Sequence, residues 1–269
     1  MNITDYPLLF FLLLFAAFVV LAEIGFRIQG RSKINQDESR HSQIEDTRTQ
    51  IAVLLSLLLG FTLSMALARF DHRKELVVDD ANAIGTTYLR AQMLPEPARS
   101  QSIYLLRRYV DIRVSWISAK DLDAALRTGI AESKAIQDQL WQIAVPLARQ
   151  APNPVISIYA QTLNDMIDYH EKRMAANSNR IPVTIWSMLI LLGALMCLTV
   201  GLSQRRRMVV SMFVPPLMIA VVMALVADID TPRSGSITVS QASLHRLQED
   251  LHTATSAQHP ATAPQTDTK

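Results

Sequence analysis

Residues 51–90 read IAVLLSLLLGFTLSMALARFDHRKELVVDDANAIGTTYLR. The part from Ile51 to Ala68 contains no charged side chain. Its length suits a helix crossing about 30 Å of hydrocarbon, which takes roughly 17–25 mostly apolar residues. Charges then appear, but no proline interrupts the chain before Pro95. Val77, Ala81, Ile84 and Tyr88 follow one another at spacings of four, three and four, which places them on one helical face. A membrane span is therefore expected to continue without a break into an amphipathic helix outside the bilayer. Both halves are helical in pattern, and the fold class expected is all-α.

Working outward, three more runs have the same character: Leu8 to Phe26, Ile181 to Leu202 and Met208 to Ala227. The expected organisation is a transmembrane hairpin over 8–68, a helical extramembrane domain over 69–180, and a second hairpin over 181–227. A short ordered tail over 228–252 and a disordered tail over 253–269 follow. The composition agrees, with 49% hydrophobic residues and 19% charged, where soluble domains carry about 25% charged. Leu8–Phe26 is not a cleaved leader in this reading, because MNITDYP has no basic residue and Arg27 follows the run directly. Net charge is +2 from 26 basic and 24 acidic side chains, too balanced for a nucleic-acid binder. Cys197 is the single cysteine, so an intrachain disulfide and the paired-cysteine zinc and redox spacings are all excluded.

Arg27, Arg31, Lys33, Arg40 and Arg48 stand between the first two spans, and Arg205, Arg206 and Arg207 between the last two. By the loop-charge rule these connections face the cytoplasm and the 69–180 segment faces outward. Arg69, Arg73, Lys74, Lys172, Arg173 and Arg180 pull the other way.

The 69–180 segment reads as four helices in a bundle. The first continues span two and ends at Leu94-Pro95-Glu96-Pro97. The second covers Ala98–Trp116, with Ile103, Leu106, Val110, Val114 and Ile117 as its stripe and Arg107, Arg108 and Arg113 on the other side. The third covers Leu122–Ala148, with Leu126, Ile130, Ile136, Leu140 and Ile143 inward and Pro146 bending or stopping it. The fourth covers Pro154–Ala176, capped by Asn153, with Ile158, Leu163, Met166, Ile167 and Met174 inward. In the tail, Ile237 and Val239 suggest an extended piece, and Leu244, Leu247 and Leu251 a short helix.

No phosphate-binding glycine loop, hydrolase elbow or set of nucleophile, base and stabiliser is present, so neither an enzyme nor a cofactor is expected. Asp71-His72 and the Asp168 to Glu171 stretch around His170 read as solvated helix surface. Glu23 lies within an apolar run; it is either functional or simply paired with Arg27 one turn on. Ser56, Gly60 and Ser64 recur every four residues in span two, a stripe that lets another helix approach closely. Alternatively this stripe, with Leu57 and Phe61, faces a conduit gated by dewetting, which needs several copies around one axis. Pro215-Pro216 implies a kink or hinge in span four.

GFTLSMALARFDHRKELVVDDANAIGTTYLR from Gly60 to Arg90, and DIDTPRSGSITVSQASL from Asp228 to Leu244, resemble a bacterial membrane-protein family labelled bestrophin-like. The resemblance rests on Glu75, Asn82, Gly85, Arg90, Asp228, Asp230, Pro232 and Gly235. It implies a distant relation to bestrophins, pentameric anion channels with a neck on span two and a calcium-binding acidic cluster after span four. Leu57, Phe61 and Ser64 would fall near such a neck, and Asp228 and Asp230 near such a cluster, as weak metal candidates. The chain departs from that pattern: only two acids follow span four, and no aromatic series lines span two. Bestrophins also keep the inserted domain in the cytoplasm, opposite to the loop charges here. The expectation is a homo-oligomeric protein of the bacterial inner membrane that self-associates in the lipid bilayer and passes small anions. The alternative is a non-conducting membrane sensor or scaffold using the helical domain as an interaction module.

Overall fold

The computed structural model describes residues 3–32, 38–115, 122–150, 153–232 and 235–258. After a 3-10 turn at Ile3–Asp5 come α1 (Pro7–Ser32), α2 (Glu38–Ala91), α3 (Ala98–Ser115) and α4 (Leu122–Gln150). Then follow α5 (Pro154–Ser178), α6 (Val183–Leu202), α7 (Val209–Asp230) and α8 (Ala242–Gln258). The described residues contain no strand. Four helical stretches are long and apolar enough to cross a membrane, within Pro7–Arg31, Glu38–Ala91, Pro154–Leu202 and Val209–Asp230. In the third of these the apolar part is α6.

The chain forms two compact units. The first comprises Met1–His72 with Asn177–Val239, and the second Arg73–Ala176 with Ser240–Lys269. In the first unit, α1 packs against α6 and α7. Phe10, Leu14, Phe18 and Ala22, spaced by four, are its buried face. Phe10 meets Trp186 edge to face, with ring centroids 5.4 Å apart. Between apolar helices in lipid there is little hydrophobic drive, so close van der Waals approach decides packing. Glycines make that approach possible. A Cβ on Gly201 would lie 2.7 Å from Phe26 N and closer still to the Ala22 carbonyl, while one on Gly193 would lie 2.8 Å from the Phe18 ring. Gly25 answers from α1, where a Cβ would press into the Leu198 carbonyl. These close contacts sit in the first and third spans and had no counterpart in the sequence reading.

The second unit is a helical bundle with a core of Ile84 and Tyr88 (α2), Leu106, Tyr109 and Val110 (α3), Ile136 and Leu140 (α4), Tyr159, Leu163 and Met166 (α5), and Leu244 and Leu251 (α8). The face of α2 follows its expected periodicity, with Val77, Ala81, Ile84 and Tyr88 all buried. The cap on α5 is present: Val155 N donates to Asn153 Oδ1 at 2.9 Å.

Several expectations are corrected. Ile158 is exposed and Tyr159 takes its place in the core. Pro146 does not stop α4, which runs on to Gln150; so close to the C-terminus the proline removes one hydrogen bond while the rest of the turn persists. α7 is helical on both sides of Pro215 and Pro216 and through them, so the two prolines do not split the span. α8 belongs with the bundle core and reaches Gln258, so 253–258 is helical. The rest of the tail, 259–269, lies outside the described residues, as do Trp116, Ile117, Lys33 and the side chain of Leu126.

Candidate functional site

The membrane part of α2 has two unlike sides. Leu55, Thr62 and Ala66 are buried at 4%, 1% and 0% exposure, and Leu55 and Ala66 join the core of the first unit. Ser56, Leu57, Gly60, Phe61 and Ser64 are all exposed, on the side of the helix turned away from those three residues. Phe61 is 64% exposed and Leu57 54%. A Cβ on Gly60 would meet nothing within 4 Å, in contrast to Gly193 and Gly201. Among the described residues, the small-residue stripe therefore packs against no helix of its own chain. Ser56 turns its hydroxyl back to Val53 O at 2.9 Å, and Thr62 does the same to Leu58 O at 2.6 Å. The exposed side thus offers small, weakly polar and aromatic surface without a charge.

Where this span ends, ionic contacts fix the neighbouring elements. Arg180 Nε donates to Asp230 Oδ2 at 2.9 Å, Arg180 Nη2 to Asp5 Oδ1 at 3.0 Å, and the Ile181 amide to Asp230 Oδ2 at 3.2 Å. Arg69 approaches the same carboxylate at 3.7 Å. Asp228 accepts from the Ser236 amide at 2.8 Å and from its hydroxyl. Gly235, at φ +123°, permits that turn; a Cβ there would run into Asp228 Oδ1. Both aspartates after span four are thus engaged by donors of the chain itself. No group of three or more His, Cys, Asp or Glu side chains gathers among the described residues. Arg69 and Arg180 are tied into this network and Arg73 is buried, while Lys74 is exposed.

The other family-motif positions are spread over the second unit. Asn82 and Arg90 line a polar cleft with Asp79, Asp165 and Tyr169, and Arg90 Nη1 donates to Ile158 O at 3.1 Å. Gly85 leaves room for Leu247 of α8, whose Cδ1 would sit 3.3 Å from an added Cβ. Glu75 is exposed and Pro232 half-buried.

A buried charge cluster was missed. Asp80, fully buried, accepts from Arg113 and from Arg173 at 2.5 Å. Arg113 also meets His170 and the Tyr109 hydroxyl at 3.4 Å, and Gln137 Nε2 donates to that hydroxyl at 3.1 Å. Burial pushes the Tyr109 phenol above its ordinary range, against the pull of the Arg113 charge. Neither Arg113 nor His170 is solvated as expected. Asp71, His72, Asp168 and Glu171 are exposed. Glu23 does pair with Arg27, at 2.9 Å, and also with Arg207, at 2.9 Å, which sequence distance concealed.

Comparison with known proteins places this arrangement. The family profile described as a bestrophin-like domain matches residues 12–244. No curated relative matches the sequence. Among solved structures, a substituted variant of a bacterial bestrophin homologue from Klebsiella pneumoniae superposes with a TM-score of 0.67 at 13% identity, over 91% of this chain and 96% of that one. Another structure of a bacterial bestrophin homologue from Klebsiella pneumoniae gives a TM-score of 0.63 at 11% identity, over 91% of this chain and 98% of that one. At such identities the structural likeness concerns the fold, and the sequence profile carries the assignment: the chain belongs to the bestrophin-like family.

Proposed function

We propose that this protein is a homo-oligomeric anion channel of the bacterial inner membrane, in which the exposed side of α2 lines the conduit. The observation that carries the reading is the two-sidedness of α2: one face is packed into its own subunit, while Ser56, Leu57, Gly60, Phe61 and Ser64 are left uncovered. Several copies gathered around an axis would bring Phe61 and Leu57 together as an apolar constriction, with serine hydroxyls beside it; apolar constrictions gate by dewetting. In this reading residues 69–180 form a four-helix extramembrane insertion, to which α8 adds. The family relation supports it. Among the basic residues near the span ends, Lys74 is exposed and able to raise the local anion concentration, since Arg69 and Arg180 are engaged by carboxylates.

One observation favours a second reading, a sensor or scaffold: α2 is a single helix from Glu38 to Ala91 that takes part in both units, a form suited to relaying a shift without conduction. The two are separated by measuring mass and flux. The purified protein in lipid nanodiscs should be a closed ring of copies, and proteoliposomes should pass chloride. Ser64→Leu should cut flux by about tenfold or more, equivalent to ~1.4 kcal/mol of added barrier, and Phe61→Ala should raise it. A monomer or dimer, or flux indifferent to both substitutions, would overturn the channel reading.

A further inference from the structure

Where α1 ends and α7 begins, an apolar groove of about 750 Å³ opens on the first unit. Val20 and Ile24 of α1 and Val209 and Phe213 of α7 line it, and each is 42–66% exposed. The volume falls within the roughly 300–1,000 Å³ usual for a small-molecule site. Glu23, Arg27 and Arg207 also line the groove. Glu23 accepts from Arg27 Nε and Arg207 Nη2, at 2.9 Å each, and so holds two guanidinium groups side by side. Their side chains remain 71% and 63% exposed. Arg205 and Arg206 precede Arg207 in the chain and are exposed. Two guanidinium groups against one carboxylate leave an excess of one positive charge at the mouth of an apolar cleft.

We propose that this groove binds an anionic phospholipid, its acyl chain along Val20, Ile24, Val209 and Phe213 and its phosphate on Arg27 and Arg207. The position fits the chemistry. The apolar run of α1 gives way to charge at Arg27, and that of α7 starts just after Arg207, so both arginines lie at the depth where headgroups lie. Arginine forks match phosphate oxygens in pairs, and basic pockets between membrane helices recognise acidic headgroups. Glu23, a carboxylate inside an apolar run, acquires a role as the clamp that sets the two forks. The inference needs the chain to cross a membrane and is independent of conduction.

The test uses the full-length protein in mild detergent, titrated with phosphatidylglycerol and with phosphatidylcholine of the same acyl chains, and read by native mass spectrometry. Phosphatidylglycerol should be retained at least tenfold better. The Arg27→Gln/Arg207→Gln double variant should lower its retention to the phosphatidylcholine level without changing the thermal midpoint or the number of subunits. Val20→Trp, which keeps every charge and fills the groove, should also reduce retention. Equal retention of the two lipids by the unaltered protein would overturn the proposal. So would competition by millimolar inorganic phosphate as effective as that by lipid, which would mark a simple anion site. A change in subunit number in the double variant would show instead that a second copy of the chain covers this face.

Discussion

Gly201→Ala adds one methyl group at the tightest contact between α1 and α6. The new Cβ would sit 2.7 Å from Phe26 N and nearer still to the Ala22 carbonyl. Both neighbours are backbone, so neither can rotate away. Separations under 3.0 Å essentially never occur for a real Cβ, so the two helices must part by several tenths of an ångström to about an ångström. A gap of 0.5–1 Å forfeits a quarter to a half of each atom-pair attraction of about 0.1–0.2 kcal/mol. Phe18, Ala22, Leu189 and Cys197, each at most 1% exposed, all belong to the core that would loosen. With some tens of pairs affected, the loss is about 2–3 kcal/mol, at the upper end of the usual ~1–3 kcal/mol for overpacking. Gly30→Ala is the control, since a Cβ there meets nothing within 4 Å and alanine is the better helix former by about 1 kcal/mol. Equilibrium unfolding in mixed micelles should therefore show Gly201→Ala destabilised and Gly30→Ala unchanged or slightly stabilised. Equal stabilities for the two variants would refute the claim that backbone proximity holds α1 against α6.

Other outcomes follow from the charge cluster and the turns. Asp80→Asn leaves Arg113 and Arg173 buried without their shared carboxylate and should cost about 3–5 kcal/mol, seen as a lower thermal midpoint of the whole protein. Gly235→Ala forces a side chain onto φ +123° and against Asp228 Oδ1; a loss of about 1–3 kcal/mol should appear as faster proteolysis after α7. The Ser100 hydrogen bonds hold the Glu96 carboxyl below its ordinary value of 4.5, with Arg99 adding to them. A depressed native value means that this stabilisation is complete above pH 4.5 and is lost as pH falls through the native value. The protection of the Ser100 amide against exchange, relative to the unstructured rate at each pH, should fall over that range, and Glu96→Gln should remove the dependence.

Periodicity made much of the fold legible. A continuous run from Ile51 to Tyr88 with no proline leaves little choice but one long helix, and the spacing of Val77, Ala81, Ile84 and Tyr88 names its buried face. Charged residues defeated the same rule. Arg113 follows Tyr109 by four and Val110 by three, so position alone places it on the buried stripe; its charge suggested otherwise because its partner Asp80 lies 33 residues away on another helix. His170 likewise continues Leu163 and Met166 and is buried with them. In the membrane part, Ser56, Gly60 and Ser64 drew notice as a packing stripe, yet Gly193, Cys197 and Gly201 have the same spacing of four and are the ones buried. Spacing identifies a stripe of small groups. Whether a neighbour fills it depends on tertiary arrangement, which one sequence does not encode locally.

The placement of α8 has a consequence for biosynthesis. Leu244 and Leu251 are core residues of the second unit, whose first segment begins at Arg73. A ribosome working at about 5–20 residues per second needs roughly 10–30 s to travel from one to the other. Within that interval two further membrane helices are made and inserted, and the nascent bundle exposes the apolar seam that α8 will close. Chaperones have their longest opportunity there, and a nonsense codon just after Val239 would release a chain with all its spans and an open bundle, an efficient substrate for membrane-associated proteases.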